Sequence, residues 1–268
     1  MDFKDAFTDP DYFTLSDEEA AFGFSEIAGI VAEKARAGLR CLEIGSGPGL
    51  LLGRLQTAFP DCRFEGLEPA SAGFSKTEAP LAVIAARTGL TIHRYGYEDF
   101  KPSEKYDLIF SINVFEHVAS WRDYLTRTHD WLAPGGLVVI LCPNYAFPWE
   151  PHVRIPIVAG KAFTHRLFAR TISAFEQNAD YHGLWASLNF VKKRQVLEFA
   201  KTAGLKLSSD DTVMRRMFQR LFTDAHFAGR QKALAGIAKL FYRLGLTSII
   251  ELPGVRLFAP FMALRMTK

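Results

Sequence analysis

The 268-residue chain has little cysteine and no long uncharged run. Its three cysteines, Cys41, Cys62 and Cys142, fall in or beside predicted strands. An odd, sparse set at that spacing gives no disulfide framework and points to reduced thiols in a cytoplasmic chain. The seven histidines add no recognisable metal-ligand spacing, so no metal is expected from the sequence. No apolar stretch approaches a membrane span. The acidic start "MDFKDAFTDPDYF" lacks the basic and apolar segments of a signal peptide. Repeats and low-complexity linkers are missing too, and the length suits one large domain with insertions better than two equal ones. Acid is scarce near the end: residues 214–268 hold ten Lys/Arg against Asp224 and Glu251, a local balance of +8 in a chain of net +3. Such a stretch is either a solvated face or a surface for something anionic. Its basic residues are not interleaved with a groove-like aromatic array, so nucleic acid is not the expected partner.

What the chain does have is alternation of strand and helix patterns. "SDEEAAFGFSEIAGIVAEKARAG" opens with Ser16 and carries Glu19 three later, a capping box. Phe24, Ile27, Ile30 and Val31 make one helical face, and Gly38 closes it. Residues 39–45 read as a buried strand, 50–59 as a helix, 63–69 as a strand and 71–88 as a helix disturbed by Pro80. Strands follow at 90–96 and 106–113, then a helix opened by Ser120 and Asp123, an "APGG" turn and a strand at 137–143. This order predicts a parallel sheet, doubly wound, with helices on both faces. Residues 143–188 break the rhythm: they are rich in Pro, His and aromatics, lack a clean period and read as a functional insertion. A helix over 189–204, a strand over 205–213, two amphipathic helices at about 214–228 and 230–245, and a last strand in "RLFAPFMALRMTK" complete the chain.

The stretch "CLEIGSGPGLLLGRL" (41–55) places Gly45, Gly47 and Gly49 at alternate positions, two residues after Glu43. In an open parallel sheet, ligands bind beyond the carboxyl ends of the strands, where the strand order reverses. Glycines there let the chain turn tightly and let a ligand approach the backbone, and the helix that follows points its positive end at the same spot. Glu68, 21 residues past Gly47, can accept hydrogen bonds from both ribose hydroxyls of an adenosine. Nucleotide-dependent dehydrogenases and methyltransferases share this pair of features. The dehydrogenase fingerprint needs glycine where Leu50 stands, and Glu43 would repel a pyrophosphate. An acid at that place suits a ligand with an ammonium or sulfonium charge, which is S-adenosylmethionine.

On these residues the chain resembles the class I S-adenosylmethionine-dependent methyltransferases. "LEIGSGPG" is similar to the first motif of that family and contains Glu43, Gly45, Ser46, Gly47 and Gly49. "GLEPA" resembles the second, with Glu68 and Pro69, and "YGYEDF" the third, where Glu98, or alternatively Asp99, would meet the adenine amine. "YDLIFSINVFEHV" resembles the fourth strand and its turn, which implies that Asn113, Val114 and Phe115 flank the methionine end. "LAPGGLVVILCPNY" looks like the fifth strand, so the motifs together cover about 38–145. The resemblance implies a Rossmann-like α/β fold: a doubly wound, seven-stranded, mostly parallel sheet with an antiparallel last strand. It makes 1–268 a single domain, with 143–188 as a lid on the acceptor side and 214–253 as a helical insertion. It also implies S-adenosylmethionine as the cofactor.

Methyl transfer from a sulfonium is an in-line displacement, and alignment of the acceptor can account for roughly 7–11 kcal/mol of the barrier. A base is needed only if the acceptor is a hydroxyl or a protonated amine. His117, after Glu116 in "FEHV", either braces the next helix or faces the acceptor. His152 and Glu150, in "FPWEPHVRIP", either stabilise a rigid turn or serve as base and partner. His165 and His182 read as surface or lid residues. Tyr12, Phe13, Tyr145, Trp149 and Trp185 belong to the core or line an acceptor pocket. Tyr12 gains weight because N-terminal segments in this family frequently fold over the cofactor. The expected acceptor is a small molecule, a glycan or a lipid-linked intermediate, methylated at oxygen. The basic helices over 214–245 either pack on the domain or touch a membrane surface. The alternatives are a scaffold that binds the cofactor without reaction, and a nicotinamide-dependent oxidoreductase, which Leu50 and Glu43 disfavour.

Overall fold

Apolar runs in the central strands leave no polar face to point at water, so both faces must be covered. In a computed structural model of the chain, which describes residues 2–69, 75–179, 181–231, 233–250, 252 and 254–268, this is what happens. Along β5 (Leu132–Pro143), Val139 and Leu141 join one core while Val138, Ile140 and Cys142 join the other. The first core is closed by α1 (Pro10–Lys34) and α2 (Leu50–Ala58), together with Ile84 of α3 (Glu78–Thr88). The second is closed by Trp121, Tyr124, Leu125 and Trp131 of α4 (Trp121–Trp131).

The remaining strands of the sheet are β1 (Arg40–Ile44), β2 (Arg63–Leu67), β3 (Thr91–His93), β4 (Tyr106–Ile112), β6 (Lys206–Ser209) and β7 (Phe261–Thr267). Seven strands lie in the order β3-β2-β1-β4-β5-β7-β6. The first five are parallel, and β7 runs antiparallel between β5 and β6. The doubly wound sheet expected from the sequence is therefore present, antiparallel last strand included. The order reverses at β1: the chain steps outward to β3 and re-enters as β4 on the other side of β1. The loops after β1 and β4 thus leave neighbouring strands at the same end of the sheet, the position where such sheets bind ligands.

Several elements differ from the sequence expectation. The first helix starts at Pro10 rather than at Ser16. Asp9 accepts from the amides of Asp11 (3.0 Å) and Tyr12 (3.1 Å), and Pro10 has no amide to leave unsatisfied. Ser16 is a buried residue inside the helix. Pro80 sits in the first turn of α3, where it disturbs nothing. The start of the helix expected from residue 71, with Ala70 of the second motif, lies outside the described residues. "APGG" is part of β5, at an irregularity in its pairing with β4, rather than a turn ahead of it.

The segment expected to be irregular carries a small hairpin (Trp149–Glu150 with Ile155–Pro156), the long helix α5 (Lys161–Ala179) and the short α6 (Leu184–Ser187). The period of α5 is obscured because its backbone leaves helical geometry at Phe168 (φ −113°, ψ 20°), so apolar positions on the two sides follow no common register. After α7 (Lys193–Thr202) and β6, the first of the two expected helices is divided. Residue Asp224 ends α8 (Val213–Thr223) and accepts from the Phe227 amide at 2.8 Å to start α9 (Ala225–Gln231). Helices α10 (Ala233–Arg243) and α11 (Thr247–Ile250) follow.

Two arginines of the basic stretch act structurally. Arg216 forms a two-pronged pair with Glu26 (2.6 and 2.7 Å), and Arg220 bonds Asp224 and lies over the rings of Phe22 and Phe227. Among the described residues, no helix is long and apolar enough to cross a membrane. The side chains of Leu234 and Ile237, part of the expected α10 stripe, lie outside the described residues.

Candidate active site

The glycine loop is held by the ends of two strands. The amides of Gly45 and Ser46 both donate to the Leu67 carbonyl (2.8 and 3.1 Å), and the Gly47 amide donates to Glu68 Oε2 at 2.7 Å. Glu68 is itself anchored by its amide on the His93 carbonyl (3.0 Å), and Gly49 caps α2. Gly45 has φ 74°, and a Cβ there would lie 2.4 Å from Val114 Cγ2, so the loop after β1 rests directly on the turn after β4. Gly47 differs: it has φ 50°, but a Cβ there would meet no protein atom within 4 Å. The apex of the loop faces open space.

Three polar groups surround it. Ser46 Oγ and Glu43 Oε2 are buried without a hydrogen-bond partner among the described residues. Burial, reinforced by the charge of Glu68, pushes the Glu43 carboxyl well above the ordinary carboxyl range. Tyr12 reaches the same place from α1: burial and the neighbouring Tyr181, Glu68 and Glu19 raise its phenol. Tyr12 of the N-terminal helix thus lies near Glu68 and near Tyr181 of the segment after α5. Pro69 is exposed beside it.

The turn after β4 is the second wall. Asn113 adopts the left-handed region (φ 54°) and donates its amide to the Leu141 carbonyl at 2.8 Å. Val114 covers Gly45 as described. Phe115 points the other way: it is fully buried, and its ring meets those of Tyr124 (5.2 Å) and Trp121 (6.5 Å). Its side chain is a wedge in the core behind the turn. Asn189, which sequence reasoning passed over, clamps this turn. Its Nδ2 donates to the carbonyls of Phe115 (2.8 Å) and Val118 (3.1 Å), and its amide donates to that of Glu116 (2.8 Å). A lone asparagine between two apolar residues gives no signal of that role in one sequence.

Beyond the turn lies a buried cluster of ionisable side chains. Glu116 is fully buried, and neither carboxylate oxygen has a hydrogen-bond partner. Burial raises its carboxyl to about 7. His117 Nε2 is 3.9 Å from Glu116 Oε1, and its Nδ1 is 2.8 Å from Ser187 Oγ. Burial, with the nearby charges of His152 and Lys161, lowers this imidazole to about 3, so it is neutral in physiological buffer. The His152 ring packs edge-on against His117, with centroids 5.3 Å apart. Its Nδ1 lies 2.6 Å from Glu150 Oε1, and Glu150 also accepts from the Val153 amide (2.6 Å) and the Tyr145 hydroxyl (3.3 Å). Burial opposes the charges of this pair, but their mutual bond and attraction win. Glu150 is held below the usual carboxyl range and His152 above the usual histidine value.

One donor atom from each of Glu116, His117 and His152 lies within 4.8 Å of the other two. Sequence spacing gave no metal set because the three sit on two segments 35 residues apart. The available signal was the charged pair "EH" directly after an apolar strand. Tyr145, Trp185 and Leu188 of the 143–188 segment form a small core with Val153 and Ile155. Of the other candidates, Phe13 packs against the main core, Trp149 opens the hairpin, and the His165 ring faces Trp185 at 5.9 Å. His182 follows Tyr181 in the segment between α5 and α6. Glu98 and Asp99 are exposed on the turn after β3, and Asp99 lines a side cleft with Glu65, His93 and Phe100.

Residues 20–208 match the family model described as a methyltransferase domain. The chain is a class I S-adenosylmethionine-dependent methyltransferase. It is 36% identical over 199 residues to the uncharacterized protein Rv1509 of Mycobacterium tuberculosis, spanning 72% of this chain and 67% of that protein. It is 38% identical over 111 residues to a ubiquinone biosynthesis O-methyltransferase of Ruegeria pomeroyi, covering 40% of this chain and 42% of the relative. Among solved structures, phosphoethanolamine N-methyltransferase 2 of Haemonchus contortus, in complex with S-adenosyl-L-methionine, is similar at 15% identity and a TM-score of 0.49. That alignment covers 87% of this chain and 49% of the other.

For a methyltransferase of this class, the loop geometry fits the donor. The space over Gly47 would be filled by any side chain there, and Ser46 Oγ and Glu43 Oε2 have no hydrogen-bond partners among the described residues to give up. The two glycines separate by physics. Gly45→Ala should cost about 1–3 kcal/mol of stability from overpacking against Val114, beyond backbone strain of about 1–2 kcal/mol. Gly47→Ala should lose the strain term alone. Urea unfolding of both variants measures the difference.

Proposed function

We propose that the protein transfers the methyl group of S-adenosylmethionine to a hydroxyl oxygen of a small-molecule or lipid-linked acceptor. The observation that carries this reading is the buried Glu116–His117–His152 cluster just past the turn that touches the glycine loop. When bound, the donor supplies an already activated methyl group. The residues of the chain then have two tasks: to hold both partners in line, and to take the proton that a hydroxyl must lose.

For the first task, Glu68 accepts from the ribose hydroxyls while the Gly47 amide keeps its carboxylate in place. Tyr12 covers the nucleoside, Pro69 borders it, and Glu98 or Asp99 meets the adenine edge. Asn113 and Val114 border the methionine end, with Phe115 bracing their turn from behind. Glu43, uncomfortable as a buried anion beside Glu68, gains a partner in a positively charged ligand. For the second task, Glu116 and the His152–Glu150 pair are the proton acceptors. They follow the usual logic of a base oriented by a third group, with Tyr145 and Val153 fixing Glu150. The 143–188 segment forms the lid that excludes water from this chemistry. The Ruegeria relative, named for O-methylation in ubiquinone biosynthesis, supports an oxygen acceptor.

A lipid-linked acceptor gains support from the surface of the 214–253 insertion. Leu240 and Leu244 are 59% and 62% exposed, and their chain neighbours Lys239 and Arg243 lie over the Phe222 ring. Apolar side chains rimmed by cations suit an anionic membrane surface.

Incubation with isotopically labelled donor and separate polar and lipid extracts should place the label in a methyl ether. Label recovered only as N-methyl, or none in either extract, would contradict the oxygen reading. Glu68→Ala should weaken donor binding by about 1.5–3 kcal/mol, and Gly47→Val should abolish it, both read by calorimetry. Sedimentation with phosphatidylglycerol vesicles should carry the chain down at low salt, and Leu240→Glu should leave it in the supernatant. Equal sedimentation of both would sink the membrane part.

A further inference from the structure

The acceptor-side cluster has a hydrogen-bond pattern that a proton-transfer role alone does not require. Ser187 Oγ donates to the Leu184 carbonyl at 2.7 Å. The same hydroxyl lies 2.8 Å from His117 Nδ1 and so ties that ring to the 184–187 turn. The His117 ring is thus held with Nδ1 on Ser187 and Nε2 on the side of Glu116 Oε1, 3.9 Å away. His152 is likewise held through Nδ1. Its Nδ1 is taken by the buried carboxylate of Glu150 at 2.6 Å, which leaves Nε2 as its remaining ring nitrogen. A carboxylate or other acceptor behind Nδ1, with Nε2 turned to the centre, is how ligating histidines are oriented in metal sites. Between the two rings lies Glu116, wholly buried, with both oxygens lacking any hydrogen-bond donor.

Two imidazoles and one carboxylate thus converge, and the convergent atoms lie within 4.8 Å of one another. Ligands at about 2.0–2.2 Å from an ion stand roughly 3–4 Å apart, so side-chain rotations of an ångström or less complete the geometry. A fully buried carboxylate with no donor is the strongest single indication that something positive belongs beside it.

We propose that Glu116, His117 and His152 bind one divalent transition-metal cation, which presents an open ligand position to the acceptor's oxygen. Two nitrogens and one carboxylate favour the zinc, cobalt or iron(II) class over magnesium, which prefers oxygen ligands and bound water. Glu150 and Ser187 are positioning residues that fix the two rings. This inference rests on the oxygen-acceptor reading, because the open ligand position is offered to a hydroxyl oxygen, whose proton an ion makes easier to lose.

The test uses the full-length, tag-free chain stripped with chelator, titrated with cobalt(II) and followed by visible absorption and calorimetry. Expected are the bands of a four- or five-coordinate ion saturating at one equivalent per chain. Affinity should fall at least a hundredfold in Glu116→Gln and by about 10–100-fold in Glu150→Gln, with no change in His129→Ala. Absence of the bands, or a Glu116→Gln variant that titrates like the parent, would overturn the proposal. Titration of S-adenosylmethionine into the same samples reports their fold and separates the two readings. Donor binding without cobalt binding sinks the ion alone. Cobalt binding without donor binding sinks the methyl-transfer placement beneath it.

Discussion

The close approach of two loops, one leaving β1 and one leaving β4, governs this molecule. It exists because the chain visits β2 and β3 on one side of β1 and returns as β4 on the other. Right-handed crossovers put both loops at the same end of the sheet. The contact is tight enough that only hydrogen fits at Gly45 opposite Val114. The glycine loop and Glu68 adjoin it through β1 and β2, and Glu116 with the two histidines adjoins it through the turn after β4. The turn after β4 cannot drift, because Asn189 bonds the carbonyls of Phe115 and Val118 and Phe115 is wedged among core rings. Positional accuracy here comes from packing far from any reacting atom, which is how a fold supplies alignment.

That accuracy is combined with unfavourable electrostatics. Glu43, Glu68, Glu116 and Glu150 are all buried. Burying an unpaired carboxylate opposes folding, and such groups persist where function needs them. Each is handled differently. Glu68 takes a backbone amide, and Glu150 takes a histidine, an amide and a phenol. Glu43 and Glu116 keep oxygens without a hydrogen-bond partner among the described residues. One of the two incompletely paired groups lies at the end of β1 and the other just after the turn that follows β4. Neutral residues at both places would fold at lower cost.

The sequence carried the central sheet clearly because its strands are buried on both faces and flanked by glycine-marked turns. The loop at 45–49 and Glu68 were legible for the same reason, since their spacing is set by strand and helix length. Legibility failed where local signals compete. Ser16 looked like a helix cap, but Asp9 and Pro10 form a better one seven residues earlier. Helix α5 was missed because its break at Phe168 erases the period. The acceptor cluster could be read only in part. His117, His152 and Glu150 stand out as polar residues in rigid surroundings. The convergence of Glu116 with both rings depends on how the hairpin after β5 folds back over the turn after β4. No spacing rule encodes that, and Phe115, one residue earlier, faces the opposite way.

The most direct measurement is a crystal structure of the chain with S-adenosylhomocysteine. The ribose hydroxyls should lie on Glu68 over the Gly47 amide, with the sulfur directed past Asn113 toward Glu116, His117 and His152. A nucleoside found elsewhere, or a sulfur directed away from that cluster, would contradict the placement on which the rest is built.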